Sequence, residues 1–463
     1  MAYPADRSAF MRKVLTAAAV ACVLTASAFG ARADEPDLWK REKLSGDWGG
    51  ARTALANKGV EVGINYIGET FNILSGGLKR GTTYEGLLAV QVDTNLDKLL
   101  GWTGATTHVE VFQIHNANNR NAADLVGSLA DPSNIDALRA TRLYTAWFQQ
   151  DFARFGSVRI GQFAADEFYA STVALGLVNG TFGWPTVMSA NLPSGGPTYP
   201  LATPGARLQV NPSERVSLLA AVFSGDPAGR NCTTSPQECN RHGTTFSLAG
   251  GAFWIGEAQY QVNQGKDATG LAAAYKLGVW YHTGRFPDQH FGIVPATGAI
   301  LTLAATPTPD PFHHRGNWGV YGVVDQMLWR GAQSSVSVFA RAGAAPSDRN
   351  LVSWYVDGGI GVKGPLPGRA DDTLTFGVAH SQISGDAAAL DRDTLALNGP
   401  PYPIRNGETV FELSYMLHVA RWWLVQPDIQ YILRPGGNVP DPNVPTRTVG
   451  DALVFGARSI VTF

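Results

Sequence analysis

The stretch Ala452-Leu453-Val454-Phe455-Gly456-Ala457-Arg458-Ser459-Ile460-Val461-Thr462-Phe463 alternates with a period of two and stops on an aromatic residue. Leu453, Phe455, Ala457, Ser459, Val461 and Phe463 fall on one face of a strand. Ala452, Val454, Gly456, Arg458, Ile460 and Thr462 fall on the other. One face suits lipid and the other accepts a charge, as in the wall of a transmembrane β-barrel. The opposite end of the chain supplies the context. Arg12 and Lys13 precede the uncharged stretch 14–29, and Ala31-Arg32-Ala33 is a small-x-small cleavage site. The sequence therefore predicts an export signal over residues 1–33 and a mature chain that starts near Asp34.

Charged residues make up 16% of the chain, aromatics 10%, and Gly accounts for 52 of 463 positions. A soluble domain carries about a quarter charged residues; this composition suits a barrel with one lipid-facing surface and also a secreted β-sandwich, so by itself it does not decide between them. No later stretch has the roughly 18 unbroken apolar residues of a membrane helix. The chain has 36 Lys/Arg and 38 Asp/Glu; without the four basic and one acidic residue of 1–33 its net charge is −5. That balance excludes a general nucleic-acid binder. Beyond residue 33 the cysteines are Cys232 and Cys239, in a polar loop with Pro236 between them. In an oxidising compartment they are disulfide candidates. A metal centre is not expected, because only His242 is near and two further ligands are missing.

Sixteen candidate strands follow one another: 60–71, 86–97, 105–115, 139–150, 156–163, 205–211, 215–224, 251–262, 270–282, 318–329, 334–343, 351–363, 371–382, 407–417, 421–433 and 450–463. Most have the length of a tilted membrane-crossing strand, about 9–11 residues. Alternation is clear in 60–71, where Val60, Val62, Ile64 and Tyr66 oppose Glu61, Asn65 and Glu69. It is clear again in 421–433, where Trp423, Val425, Ile429 and Tyr431 oppose Gln426, Asp428 and Gln430. Residues 139–150 alternate poorly. A helix is predicted over 40–59, stopped by Gly59. The fold expected is all-β: a transmembrane antiparallel β-barrel of about sixteen strands, with a short N-terminal periplasmic helix, a wet lumen and long extracellular loops. Residues 34–59 form the periplasmic segment and 60–463 the barrel. Long polar segments at 116–138 and 164–204 are expected to be functional loops.

The motifs resemble those of the OprB family of carbohydrate-selective porins almost end to end. They include Leu44-Ser45-Gly46-Asp47-Trp48-Gly49-Gly50-Ala51-Arg52, Arg159-Ile160-Gly161-Gln162-Phe163 and Phe182-Gly183-Trp184-Pro185. Tyr199-Pro200-Leu201-Ala202-Thr203-Pro204-Gly205-Ala206-Arg207 and Gln426-Pro427-Asp428-Ile429-Gln430-Tyr431 extend the match. The resemblance implies a sixteen-stranded outer-membrane channel that passes glucose and related sugars down their gradient, with no cofactor and no chemical step. The Cys232–Cys239 loop and the Pro-rich stretch 287–312 depart from the family pattern. Both are loop segments, so they bear on substrate range.

A neutral sugar needs fixed donors and acceptors that replace water, held weakly enough for release. Strand parity turns Arg159, Arg207, Arg341 and Arg458 inward, with Arg142 as a further candidate. Acidic partners on inward faces are Glu61, Glu69, Asp93, Glu257, Glu408 and Glu412. Each of these charges is either a sugar contact or a strut that holds strands and loops together. Trp184 either stacks on a sugar or anchors its loop. Trp102, Trp280, Trp422 and Trp423 are assigned to interfacial girdles or strand ends. There is no Gly-x-Ser-x-Gly elbow and no facing carboxylate pair, so no enzyme is expected. Three function classes remain: a sugar porin, a porin for small anionic solutes such as organic acids, and a surface protein that binds carbohydrate without forming a channel. The partners expected are small-molecule sugars, outer-membrane lipids and lipopolysaccharide, and no nucleic acid. Monomer and trimer both fit the sequence.

Overall fold

The computed structural model describes residues 37–229, 231–265, 268–400 and 402–463. The signal expected over 1–33 lies outside the described residues. Sixteen strands close a single antiparallel barrel. Nine come first: β1 (Val60–Gly77), β2 (Gly81–Asn95), β3 (Ala105–Asn116), β4 (Ala140–Asp151), β5 (Gly156–Phe163), β6 (Thr203–Ser213), β7 (Val216–Ser224), β8 (Ala252–Val262) and β9 (Ala273–Ile293). A short piece, β10 (Ile300–Thr302), lies in the loop beyond β9. The wall continues with β11 (Asp310–Arg330), β12 (Ser335–Ala344), β13 (Val352–Lys363), β14 (Thr373–Ile383), β15 (Gly407–Ala420) and β16 (Trp423–Leu433). A small hairpin, β17 (Pro440–Asp441) with β18 (Val444–Thr448), precedes the last wall strand, β19 (Gly450–Thr462).

Each wall strand pairs with its neighbours in the chain, and β19 closes on β1, with Tyr66 opposite Val461 and Glu69 opposite Arg458. Closure leaves no unpaired edge in lipid, where each bare N–H or C=O would cost several kcal/mol. Both chain ends share one rim with the turns that follow β2, β4, β6, β8, β11, β13 and β15, and the long loops share the other with the three-residue turn 78–80. On β19 the buried residues are Ala452, Val454, Gly456 and Arg458, while Phe455 and Ala457 are exposed on the outer face.

The N-terminal helix is shorter than the sequence suggests: it spans Ala51–Asn57. Gly49 and Gly50 take φ of +68° and +96°, a left-handed turn that no helix running through them could contain. The segment is tied to the barrel seam. Leu44 N–H donates to Thr462 O at 2.8 Å, Arg52 Nη2 donates to Phe463 O at 2.8 Å, and the Arg52 guanidinium lies 4.1 Å from the Trp48 ring centre.

Three further expectations are corrected. β9 and β11 run about ten residues past the predicted ends, as one long hairpin that carries Pro287 and Pro311 with ladder irregularities nearby. The prolines make that stretch read as loop in the sequence, because they interrupt the ladder without ending it. Residues 139–150 alternate poorly because the β3–β4 register shifts between Glu110 and Val111. One extra residue flips parity, so Trp147 and Gln149 face inward in the lower half of β4, and Tyr144 and Arg142 in the upper half. Trp280 is no girdle residue: it is buried against Phe253 inside the barrel.

The lumen is not wholly wet. The loop between β5 and β6, residues 164–202, folds into the barrel. Its Phe168, Tyr169, Val178, Phe182, Val187 and Met188 pack on inward Phe163, Phe223, Phe253, Tyr321, Phe339 and Tyr355. A β-barrel of this size has too few wall side chains to fill itself, so the loop supplies an internal apolar core.

Candidate functional site: the pore and its constriction

The inward-folded loop is held by wall carboxylates that accept its backbone N–H groups. Glu257 takes Tyr169 N–H at 2.8 Å, and Asp325 takes Thr172 N–H at 2.8 Å. Glu412 takes the N–H groups of Val178 and Asn179 at 2.5 and 2.9 Å. Arg341 works in the opposite sense, donating to Tyr169 O at 3.0 Å and Thr181 O at 3.1 Å while paired with Asp357. The loop between β3 and β4 is held in the same way. Glu408 accepts from Leu129, Ala130 and Gly436 at 2.7, 2.8 and 2.7 Å, and Glu85 accepts from Ala122. Glu69 takes the Ser133 hydroxyl and pairs with Arg458, which also reaches Asn134. A charged acceptor satisfies buried N–H groups that irregular loop backbone cannot pair by itself.

These contacts sort the predicted residues. Arg341, Arg458, Glu69, Glu257, Glu408 and Glu412 face inward as parity requires, but the loops bury them. They are struts and do not line open water. Arg142 is 1% exposed and donates to the carbonyls of Pro200, Gln237 and Arg241, so it ties the β5–β6 and β7–β8 loops together. Trp184 is 7% exposed and donates Nε1–H to Gly195 O at 3.0 Å, which anchors its loop, and its small exposed part borders the vestibule described below. Glu61 lies opposite Asp93 on β1 and β2 near the periplasmic mouth.

A continuous polar strip remains on the inner wall of β2–β6. Asp93 contacts His108 at 2.6 Å, and His108 stacks on Trp147 with ring centres 5.0 Å apart. The Arg159 guanidinium lies 4.3 Å from the same Trp147 ring, its Nε donates to Gln149 Oε1 at 3.0 Å, and its Nη1 is 3.6 Å from Glu167 Oε1. Arg207 Nε reaches the same carboxylate oxygen at 3.3 Å, and its Nη groups contact Ser157, Gln149 and Gln209. Arg159 and Glu167 keep 20% and 28% of their side chains open, whereas Arg207 is buried behind them. Sequence reasoning missed His108, Trp147, Gln149 and Glu167. The bulge hid the β4 pair, and Glu167 comes from the folded-in loop.

Above the strip, the loops enclose a vestibule of about 780 Å³ lined in part by Asp131, Asn134, Asp136, Asp166, Tyr199 and Gln237. Cys232 and Cys239 form a disulfide. Their loop reaches over to β4: Gln237 Oε1 accepts Leu138 N–H at 2.8 Å, and His242 O accepts Leu143 N–H at 3.0 Å. Because the His242 contact lies outside the ring that the cystine closes, reduction is expected to leave single-channel conductance nearly unchanged. A large change in a bilayer recording on addition of reductant would mean that this loop gates the pore.

No group of three or more potential ligands for a metal ion occurs among the described residues. The site therefore offers hydrogen bonds, charge and shape. The strip lies along the inner wall and presents partly open planar donors beside carboxylate and amide acceptors, an arrangement suited to transit of small polar solutes.

Comparison with known proteins agrees with this geometry. The model of the OprB family of carbohydrate-selective porins matches residues 79–463. Porin B of Pseudomonas aeruginosa is 26% identical, covering 96% of this chain and 97% of that protein. The high-pH structure of Pseudomonas putida OprB superposes with a TM-score of 0.80 at 24% identity, covering 92% of this chain and all of that one; the low-pH structure gives 0.54 at 19% identity. A closed sixteen-strand barrel, a loop folded into its lumen and a family match over most of the chain lead to one conclusion: the chain belongs to the OprB family of carbohydrate-selective porins of the bacterial outer membrane.

Proposed function

We propose that sugars of the glucose class pass through this channel in contact with the strip Asp93–His108–Trp147–Arg159–Glu167. Arg207 holds Glu167 and Gln149 in place from behind. The observation that carries this reading is the fixed position of Arg159, braced by Trp147, Gln149 and Glu167 and still open to the lumen. A braced guanidinium loses little freedom when it meets a hydroxyl, and its neutralised charge keeps the contact weak enough for release. The anion-porin reading is disfavoured by the same strip, because Glu167 lies against both arginines and Asp93 and Glu110 lie against His108 beside them. The exposed apolar outer wall is proposed to face outer-membrane lipid and lipopolysaccharide. Family and fold are those of a channel and assign no chemical step.

Planar-bilayer recording with glucose, maltose and succinate titrated in turn tests this reading. Saturable block by a sugar with weak ion selectivity supports it; block by succinate alone replaces it with an anion channel. Arg159→Ala is expected to weaken sugar block by roughly tenfold, about 1.4 kcal/mol, with the barrel still folded. Arg207→Ala is expected to act in the same direction by freeing Glu167. If both variants are blocked by sugar like the parent, the strip is not the sugar path.

A further inference from the structure

The outer wall at β8, β9 and β11 carries an ordered surface that sugar transport does not use. Trp254, Tyr281 and Trp318 lie directly opposite one another on these three strands, and all are exposed. The next row toward the periplasm is Leu208, Ala220, Gly256, Val279 and Val320, in register across five strands. Its small residues leave an apolar groove of about 690 Å³ bounded above by the aromatic row.

Beyond the aromatic row, on the side of the long loops, Arg285 of β9 stands directly opposite Arg315 of β11. Arg285 shares the parity of Val279 and Tyr281, and both arginines are exposed. Like charges directly opposite on one sheet face are destabilising unless something lies between them. Neither side chain has an ion pair or hydrogen bond among the described residues. The nearby carboxylates are engaged elsewhere: Asp348 is gripped by Arg349 at 2.8 and 2.9 Å, and Asp288 holds His314 at 2.8 Å. The outward positions of these three strands between the groove and the arginine pair include no Asp or Glu. From Tyr281 to Arg285 the strand advances roughly 13 Å, about the step from an interfacial aromatic belt to the headgroup layer.

We propose that this surface docks a phosphorylated glycolipid of the outer leaflet, of the lipid A type. A phosphate bridges the guanidinium groups of Arg285 and Arg315, and an acyl chain runs past the Trp254–Tyr281–Trp318 row into the groove. Arginine suits the first contact because its planar fork meets phosphate oxygens two at a time. Charge complementarity selects the occupant: a phosphomonoester brings up to two negative charges to the two cations, whereas a zwitterionic lipid adds no net charge and an apolar protein face adds none.

The test is native mass spectrometry of the full detergent-extracted protein titrated with bisphosphorylated lipid A in the presence of EDTA, which removes metal bridges. The parent is expected to retain lipid A, and R285Q/R315Q to bind it at least about tenfold more weakly. G256L probes the groove separately. A Cβ at Gly256 would meet only Leu219 O at 3.7 Å, so the side chain fills the groove without straining the wall, and weaker lipid A retention is expected. Unchanged glucose block and heat-modifiable migration show that both variants are folded. Equal retention of lipid A by parent and R285Q/R315Q overturns the proposal. So does equal retention of phosphatidylglycerol and lipid A by the parent, or self-association of the parent through this face in place of lipid binding.

Discussion

Replacing Arg341 with alanine is expected to lower the stability of the folded barrel by about 3–5 kcal/mol, the usual cost of stranding one partner of a buried ion pair. Arg341 is 1% exposed and its partner Asp357 is 3% exposed. Without the guanidinium, the Tyr169 carbonyl loses its donor, and Asp357 and the Thr181 carbonyl are left to share the Tyr355 hydroxyl, at 2.7 and 3.2 Å. The measurement is the midpoint of denaturant or thermal unfolding in detergent, followed by the shift in gel mobility of the folded barrel. The double variant Arg341→Ala/Asp357→Ala should recover part of the loss, because no uncompensated charge remains. If the single and double variants unfold together at the parent midpoint, the pair is not a strut.

Glu412→Ala is expected to act on the pore more than on the wall. Its two carboxylate oxygens are the acceptors for Val178 and Asn179, in the middle of the folded-in loop. Each stranded N–H costs about 1–3 kcal/mol. The loop can recover that energy only by swinging into water, which opens the lumen. Single-channel conductance should rise and sugar block should fall together, while the sixteen-strand wall stays folded. Glu412→Gln, which keeps one acceptor, should fall between parent and alanine variant. A Glu412→Ala channel with parental conductance and parental sugar block would remove this carboxylate from any part in shaping the constriction.

Strand positions were legible in the sequence because the wall alternates by a local rule. Val60, Val62 and Ile64 fall on the outer face whatever the rest of the chain does, and so do Phe455 and Ala457. The inward direction of Arg159, Arg207, Arg341 and Arg458 followed from the same rule. Whether an inward residue meets water or a loop did not follow, since that depends on contacts such as Val178 to Glu412, which are 234 positions apart. Arg341 and Arg159 read alike in the sequence, yet one is sealed under Tyr169 and Thr181 and the other is open beside Glu167. Trp184 was placed in the right loop, and its indole N–H is occupied by a carbonyl of that same loop. Local breaks in the pattern explain the remaining misses: the parity change on β4, the prolines of the long hairpin, and the left-handed glycines before the helix.

The anchors of the folded-in loop also join distant parts of the chain. The loop belongs to the first half of the chain, but Glu412, Gln426 and Gln430, which hold its residues 176–179, lie on β15 and β16, near the other end of the chain. The strands that complete the wall therefore also fix the filter, and any shift of β15 or β16 within the wall is carried directly to the loop that shapes the lumen.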